Sequence, residues 1–147
     1  MNTVIRLMEE KDKQAVLNMM EVFYRSPAVH TNGSEEIFTN DINACLDDNP
    51  YLEGYVFECS EGLQGYAMVA KSFSTEFGKR CIWLEDLYVA EGYRRRGIGK
   101  AFFAFLEGKY PDAVLRLEVE EDNQRALALY RSRGMEALPY LEMIRLG

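Results

Sequence analysis

The chain has 147 residues, of which 48% are hydrophobic, and its 24 acidic and 17 basic side chains give a net charge of −7. This size predicts one domain over residues 1–147, and the excess of acidic residues argues against a nucleic-acid-binding surface. Because the sequence has neither an apolar run of about 18 residues nor a signal peptide, we expect a cytoplasmic protein that does not enter a membrane.

The first third of the chain alternates between strand and helix patterns. Residues 4–8 predict a first strand, and the helix that follows extends to about Arg25, where Ser26-Pro27 ends it. A second helix is predicted to begin at Ser34, because the sequence Ser-Glu-Glu-Ile is typical of an N-terminal cap, and to stop at Asn49-Pro50.

The rest of the chain predicts a sheet with two further helices. Strands are predicted over residues 55–59, 64–73, 80–89 and 114–119, with a last one near 141–146. Helices are predicted from residue 97 to about 109 and from residue 123. The repeated switch between periods of two and 3.6 residues indicates a mixed α/β (α+β) architecture.

A loop rich in arginine and glycine joins strand 80–89 to the next helix. This basic loop (residues 94–100) reads Arg-Arg-Arg-Gly-Ile-Gly-Lys. Gly97 and Gly99 lack a β-carbon, so the backbone can approach a ligand closely, while the free amides and the dipole of the first helical turn favour an anion. Since four of its seven residues are cationic in an acidic chain, the loop is predicted to bind a diphosphate.

Two other phosphate-binding patterns fit this loop poorly. A dinucleotide fingerprint would require a third glycine where Phe102 stands, and three arginines precede the glycines instead. A P-loop would require Gly-x-x-x-x-Gly-Lys-Ser/Thr, which the sequence does not contain.

The basic loop resembles the motif Arg/Gln-x-x-Gly-x-Gly/Ala of the GNAT superfamily of N-acetyltransferases, with Arg94, Gly97 and Gly99 at its defining positions. The resemblance implies that the loop holds the pyrophosphate of acetyl-coenzyme A and that the preceding strand pairs with the pantetheine arm. The residues implied to bind the coenzyme are Leu87, Tyr88, Val89, Arg94, Arg95, Arg96, Gly97, Ile98, Gly99, Lys100, Asn123, Ala126 and Tyr130.

A later stretch is similar to the family motif Asn-x-x-Ala-x-x-x-Tyr-x-x-x-Gly-Phe, matched by Asn123, Ala126, Tyr130 and Gly134, with Met135 replacing the usual Phe. Its residues also predict a helix by themselves, because residue 122 or 123 can cap the start and Gly134 can end it. The two motifs occur in the family's order. The resemblance implies a single-domain GNAT fold: a mixed, mostly antiparallel sheet of six to seven strands, flanked by about four helices and splayed at the coenzyme cleft.

Acetyl transfer from a thioester to an amine needs a proton acceptor, a donor for the developing oxyanion and a proton for the leaving thiolate. Glu85 and Asp86 lie on the strand beside the implied coenzyme and point to opposite faces, so one of them is expected to meet the substrate. Polyamine acetyltransferases have a similar Leu-Glu-Asp stretch, which favours Glu85 as the base, with Asp86 or a bound water as alternatives. An amide near Leu87, freed by a bulge or splay, could bind the oxyanion. The resemblance implies that Tyr130 donates to the departing sulfur.

The sequence therefore predicts an acetyl-coenzyme A-dependent N-acetyltransferase that acts on a small cationic amine, a lysine or an N-terminal amine by direct attack in a ternary complex. A non-catalytic acyl-coenzyme A sensor or partner-binding subunit would share the same loop and is the alternative. Because the three cysteines lack Cys-x-x-Cys spacing, we expect no metal. Exposed strand edges and the family resemblance predict a homodimer.

Overall fold

The computed structural model describes residues 2–147, which form five strands and four α-helices. The strands are β1 (Val4–Leu7), β2 (Leu52–Cys59), β3 (Gly62–Ser74), β4 (Lys79–Val89) and β5 (Val114–Leu117). The helices are α1 (Lys13–Tyr24), α2 (Glu35–Leu46), α3 (Ile98–Lys109) and α4 (Gln124–Ser132). Within residues 2–147, no helix has the length and apolar character needed to cross a membrane.

The five strands form one sheet in the order β1-β2-β3-β4-β5. Neighbouring strands from β1 to β4 are antiparallel, and β5 pairs in parallel with β4. The parallel connection passes through α3, as such crossovers require. The predicted α/β class, the mostly antiparallel sheet and the four helices are confirmed.

The strand predicted near residues 141–146 is wrong, and the described residues form five strands rather than six or seven. Leu141, Met143, Ile144 and Leu146 are each between 86 and 90% exposed. A strand exists only with a hydrogen-bonded neighbour, and this segment forms no ladder within residues 2–147. The sequence of the segment predicted a strand, but a local pattern contains no information about pairing.

Each face of the sheet carries its own hydrophobic core. The core on one face contains α3 and includes Tyr55, Phe57, Phe102, Phe103 and Leu106. The core on the other face contains α1 and α2 and includes Val16, Met20, Phe38, Ile42 and Tyr66. Since each such side chain contributes about 1.5–3 kcal/mol on burial, the two cores hold the helices against the sheet.

Two polar side chains begin helices at the predicted positions. The Ser34 hydroxyl accepts a hydrogen bond from the Ile37 amide at 3.2 Å, at the start of α2. The Asn123 side chain accepts one from the Ala126 amide at 3.3 Å, at the start of α4. These bonds satisfy amides that have no acceptor within the helix.

An ion network fixes β1 to the chain segment that leads into α1. The Arg6 guanidinium donates to both carboxylate oxygens of Asp12, at 2.8 and 3.0 Å, and to both of Glu58, at 3.0 and 3.2 Å. Asp12 is 4% exposed and also accepts from the Glu9 amide at 2.8 Å. Burial alone would raise the pKa of Asp12, but the bonds from Arg6 and Glu9 outweigh burial and lower it.

Replacing Arg6 with Leu should lower the free energy of unfolding by about 3 kcal/mol, because the buried Asp12 carboxylate loses its cation. Since the pKa of Asp12 is lowered in the folded protein, its contribution is complete at neutral pH and is lost as the pH falls below about 4. Urea unfolding at pH 7 measures the change. Lys13→Ala removes an exposed ion pair with Glu10 and should cost less than about 0.5 kcal/mol. Equal losses in the two variants would contradict a special role for the Arg6 network.

Candidate active site

A cleft of about 820 Å³ lies beside β4, at the N-termini of α3 and α4. The last residue pair that joins β4 to β5 is Leu84 with Leu117, so the two strands separate beyond this point. The lining residues are Phe23, Ser26, Pro27, Ala28, Leu87, Tyr88, Val89, Tyr93, Arg94, Arg95, Gly97, Ile98, Gly99, Lys100, Asp122, Asn123, Gln124, Arg125, Ala126, Leu129 and Tyr130. Every residue predicted to bind the coenzyme is among them except Arg96.

The basic loop adopts a backbone conformation that residues other than glycine rarely take. Arg95 has φ +66°, Gly97 has φ +81°, and α3 begins at Ile98. Left-handed residues next to a helix start turn successive amides toward the same side, which makes a concave site for an anion. Because a left-handed arginine costs free energy, the conformation of Arg95 points to a functional constraint on this loop.

Two arginines of the basic loop are held by neighbours. Arg94 Nε donates to the Val89 carbonyl at 2.7 Å, and its guanidinium lies 5.7 Å from the centre of the Tyr88 ring. Arg96 lies outside the cleft lining, with its guanidinium 5.4 Å from the centre of the Tyr93 ring. The lining contains four cations (Arg94, Arg95, Lys100 and Arg125) and one carboxylate, Asp122. The cleft is therefore locally positive in an acidic protein.

Gly99 lies where α3 approaches α4. A β-carbon at this position would come within 3.1 Å of the Leu129 side chain. At Gly97, by contrast, a β-carbon would meet no atom within 4 Å. The backbone conformation therefore favours glycine at position 97, whereas at position 99 a β-carbon would be tightly packed against Leu129.

A β-bulge in β4 marks the point where β5 separates. Met68 of β3 pairs with Asp86 and Val69 pairs with Leu84, so Glu85 has no partner on β3. A bulge or splay near Leu87 was predicted, and the structure has both features in this strand.

The backbone of β4 presents alternate residues to the cleft. The Ala90 amide donates to the Gln64 carbonyl on β3 at 2.8 Å. Because peptide groups alternate along a strand, the amides of Leu87 and Val89 point away from β3, to the side that β5 has left. The Leu87 amide therefore lies on the side of the strand where a ligand can pair with it.

Tyr130 is one of the residues that line the cleft. It lies on α4, its ring centre is 5.6 Å from that of Phe103, and burial raises its pKa. Two backbone bonds end the helix just beyond it, from the Gly134 amide to the Arg131 carbonyl at 3.0 Å and from the Met135 amide to the Tyr130 carbonyl at 3.1 Å. Among the described residues, the Tyr130 hydroxyl has no hydrogen-bond partner. Its O–H group is therefore available to a ligand.

The predicted acidic pair is divided between two environments, and neither residue lines the cleft. Asp86 is 5% exposed and accepts hydrogen bonds from the hydroxyls of Tyr24 and Tyr66. Burial raises its pKa despite these two bonds. Glu85, at the bulge, remains accessible to solvent but is partly surrounded by protein, and this partial burial, followed by the nearby carboxylates of Asp86 and Glu142, raises its pKa.

Two further features of the site depend on contacts between distant segments. The pKa of Glu118, just beyond β5, is raised to about 7, first by its hydrogen bond with Glu142 and then by burial. The segment 26–28, which follows α1, forms part of the cleft lining. Neither has a sequence signal, because each depends on segments far apart in the chain. Within residues 2–147, no group of three or more His, Cys, Asp and Glu side chains could hold a metal ion.

Comparisons with known proteins find similarity to acetyltransferases. Residues 14–135 match the model of the acetyltransferase (GNAT) family. A thialysine N-epsilon-acetyltransferase from Bos taurus is 37% identical over 81 residues, which are 53% of this chain and 47% of that protein, about half its length.

Two solved structures have the same fold. A possible acetyltransferase from Clostridium difficile 630 has a TM-score of 0.82 at 21% identity, over 99% of this chain and 97% of its own. AAC(6')-Iy, in complex with a bisubstrate analogue that contains coenzyme A, has a TM-score of 0.81 at 13% identity, over 100% of this chain and 99% of its own. At these identities the likeness establishes the fold.

Proposed function

The chain belongs to the acetyltransferase (GNAT) family, and we propose that it transfers the acetyl group of acetyl-coenzyme A to a primary amine by direct attack in a ternary complex. The observation that carries this proposal is the basic loop, with left-handed residues at Arg95 and Gly97, at the start of α3 in the cleft. The loop offers backbone donors, the helix dipole and cations to one anionic group.

The diphosphate would bind the amides at the start of α3, with Arg94, Arg95 and Lys100 around it; Arg96 would add charge from outside the lining. The pantetheine arm would pair with the strand at Leu87 and Val89, whose amides point away from β3. Asn123 and Ala126, at the start of α4, would contact the arm from the other side of the cleft.

The reaction forms a C–N bond and breaks the C–S bond of the thioester. We assign the acceptance of the amine proton to Glu85, directly or through water, because Asp86 is buried beneath two tyrosines. The Leu87 amide would stabilise the oxyanion, and the Tyr130 hydroxyl would donate a proton or hydrogen bond to the departing sulfur. No nucleophile of the protein needs to be acylated.

The acceptor would be a small cationic amine, a lysine or an N-terminal amine. After burial, the charges of Asp86 and Glu142 raise the pKa of Glu85, and Glu142 and Glu85 contribute to the raised pKa of Glu118, which makes this end of β4 acidic and suited to an ammonium group. The curated relative is named for acetylation of the thialysine side-chain amine, which supports an acceptor of this class.

Calorimetric titration with coenzyme A and a thiol-release assay test the proposal together. Heat of binding and thiol release with at least one of thialysine, a polyamine, an aminoglycoside or a lysine peptide are expected. Binding without thiol release from any amine would favour the sensor instead. No binding would overturn the proposal.

Replacing Gly97 with Ala should raise the Kd for coenzyme A about tenfold. A left-handed alanine is disfavoured by about 1–2 kcal/mol, a range that includes the ~1.4 kcal/mol of a tenfold change, and relief of that strain would move the loop out of its binding conformation. Gly78→Ala is the matched control, since Gly78 has φ +66° with open space around it but lies outside the cleft lining. Both variants should lose similar stability, and only Gly97→Ala should lose affinity.

Replacing Tyr130 with Phe should lower kcat about 100-fold while the Kd for coenzyme A stays within twofold, because only the proton donor is removed. Steady-state thiol release and calorimetry measure the two quantities. Tyr51→Phe, which alters an exposed tyrosine outside the cleft lining, should leave both unchanged. Unaltered turnover in Tyr130→Phe would remove this residue from the mechanism.

Replacing Glu85 with Gln should lower kcat about 100-fold and change its pH dependence. A base acts when ionised, and the pKa of Glu85 is raised, so wild-type kcat should rise as the pH passes that raised pKa. The Glu85→Gln variant should lack this rise. Glu10→Gln, on the exposed surface, should retain the wild-type pH profile. A wild-type profile in Glu85→Gln would assign the base to another group.

A further inference from the structure

Asp86 connects β4 with the end of α1. Its Oδ1 accepts from the Tyr24 hydroxyl at 3.0 Å, and its Oδ2 accepts from the Tyr66 hydroxyl at 2.7 Å. Tyr66 lies on the neighbouring strand β3 and is fully buried, whereas Tyr24 is the last residue of α1. The carboxylate therefore makes one bond within the sheet and one to a helix.

The turn that follows Tyr24 is attached to the last residues of the helix. The Ser26 hydroxyl donates to the Phe23 carbonyl at 2.6 Å and accepts from the Ala28 amide at 3.3 Å. The Ser26 amide also donates to the Phe23 carbonyl, at 3.1 Å. Because these bonds join the turn to the helix end, the position of segment 26–28 follows that of Phe23 and Tyr24.

Phe23 and segment 26–28 line the cleft together, and we call them the α1 wall. The Phe23 ring is 5.9 Å from the Tyr88 ring, which in turn lies 5.7 Å from the Arg94 guanidinium of the basic loop. The Tyr24 ring also packs against the Phe38 ring of α2, with 4.9 Å between the ring centres. Ring contacts allow sliding, whereas the bond between Tyr24 and Asp86 fixes the end of α1 at one place on β4.

We propose that Asp86 is a positioning residue: through the Tyr24 hydroxyl it holds the α1 wall of the cleft against β4 and so shapes the site for the coenzyme. This role rests on the proposed function, because it concerns the cleft assigned to acetyl-coenzyme A. This positioning role differs from direct binding of the substrate, since the Asp86 carboxylate faces two tyrosines inside the protein.

The two tyrosines provide a matched pair of variants. Tyr24→Phe and Tyr66→Phe each remove one hydroxyl from the same buried carboxylate, so both should lower the urea midpoint to a similar extent. Only Tyr24→Phe releases the α1 wall. It should raise the KM and the Kd for acetyl-coenzyme A about fivefold, with kcat within twofold of wild type. Tyr66→Phe should leave KM and Kd within twofold.

Hydrogen exchange gives a second readout that does not require turnover. The amides of residues 25–29 should exchange at least tenfold faster in Tyr24→Phe than in Tyr66→Phe. Asp86→Asn, which keeps one acceptor oxygen and turns an NH₂ group toward the other hydroxyl, should raise KM by no more than Tyr24→Phe does.

The outcomes separate this proposal from the proposed function. If wild-type protein does not bind coenzyme A, the proposed function fails, and the exchange of residues 25–29 still tests the attachment of the α1 wall. If wild-type protein binds but Tyr24→Phe and Tyr66→Phe have the same KM, the positioning role is overturned. The same holds if exchange in residues 25–29 is equal in the two variants.

Discussion

The separation of β4 from β5 is the constraint on which the site depends. Pairing stops at Leu84 and Leu117, and the bulge at Glu85 follows at once. Beyond it, the backbone of β4 has β3 on one side and the cleft on the other. Had the strands continued to pair, the Leu87 amide would bond to β5. No gap would then remain between the N-termini of α3 and α4.

The two cores give the cleft its rigid sides. The core around α3 fixes the start of that helix and with it the basic loop, while the core around α1 and α2 supports the opposite lining. Asp86 accepts hydrogen bonds from Tyr66 of the second core and from Tyr24, which packs against that core, and it lies on the strand that both cores share. A single buried carboxylate can thus fix the end of a helix relative to the strand that would hold a ligand.

Features set by local chemistry could be predicted from the sequence. The caps at Ser34 and Asn123 and the glycine turn at Gly97 depend on residues within a few positions, and the structure has all three. Opposite faces for Glu85 and Asp86 were predicted from regular strand alternation, which the bulge at Glu85 interrupts, and the burial of Asp86 against Tyr24 depends on a contact across 62 positions. The position of segment 26–28 in the cleft and the lack of a strand partner for segment 141–146 within residues 2–147 could not be read from the local sequence for the same reason, because strand pairing and helix docking are tertiary properties.

The distribution of charge gives an anionic ligand two opposing influences. Outside the cleft it approaches a protein of net charge −7, whose repulsion is largely screened at separations beyond the Debye length of about 8 Å at physiological ionic strength, whereas inside the cleft it meets four cations. Added salt screens the distant repulsion and the near attraction alike. The association rate constant should therefore rise with salt, because the repulsion by the outer surface weakens. The dissociation rate constant should rise as well, because the attraction by the arginines of the cleft weakens. The two rate constants would thus report separately on the outer surface and on the cleft.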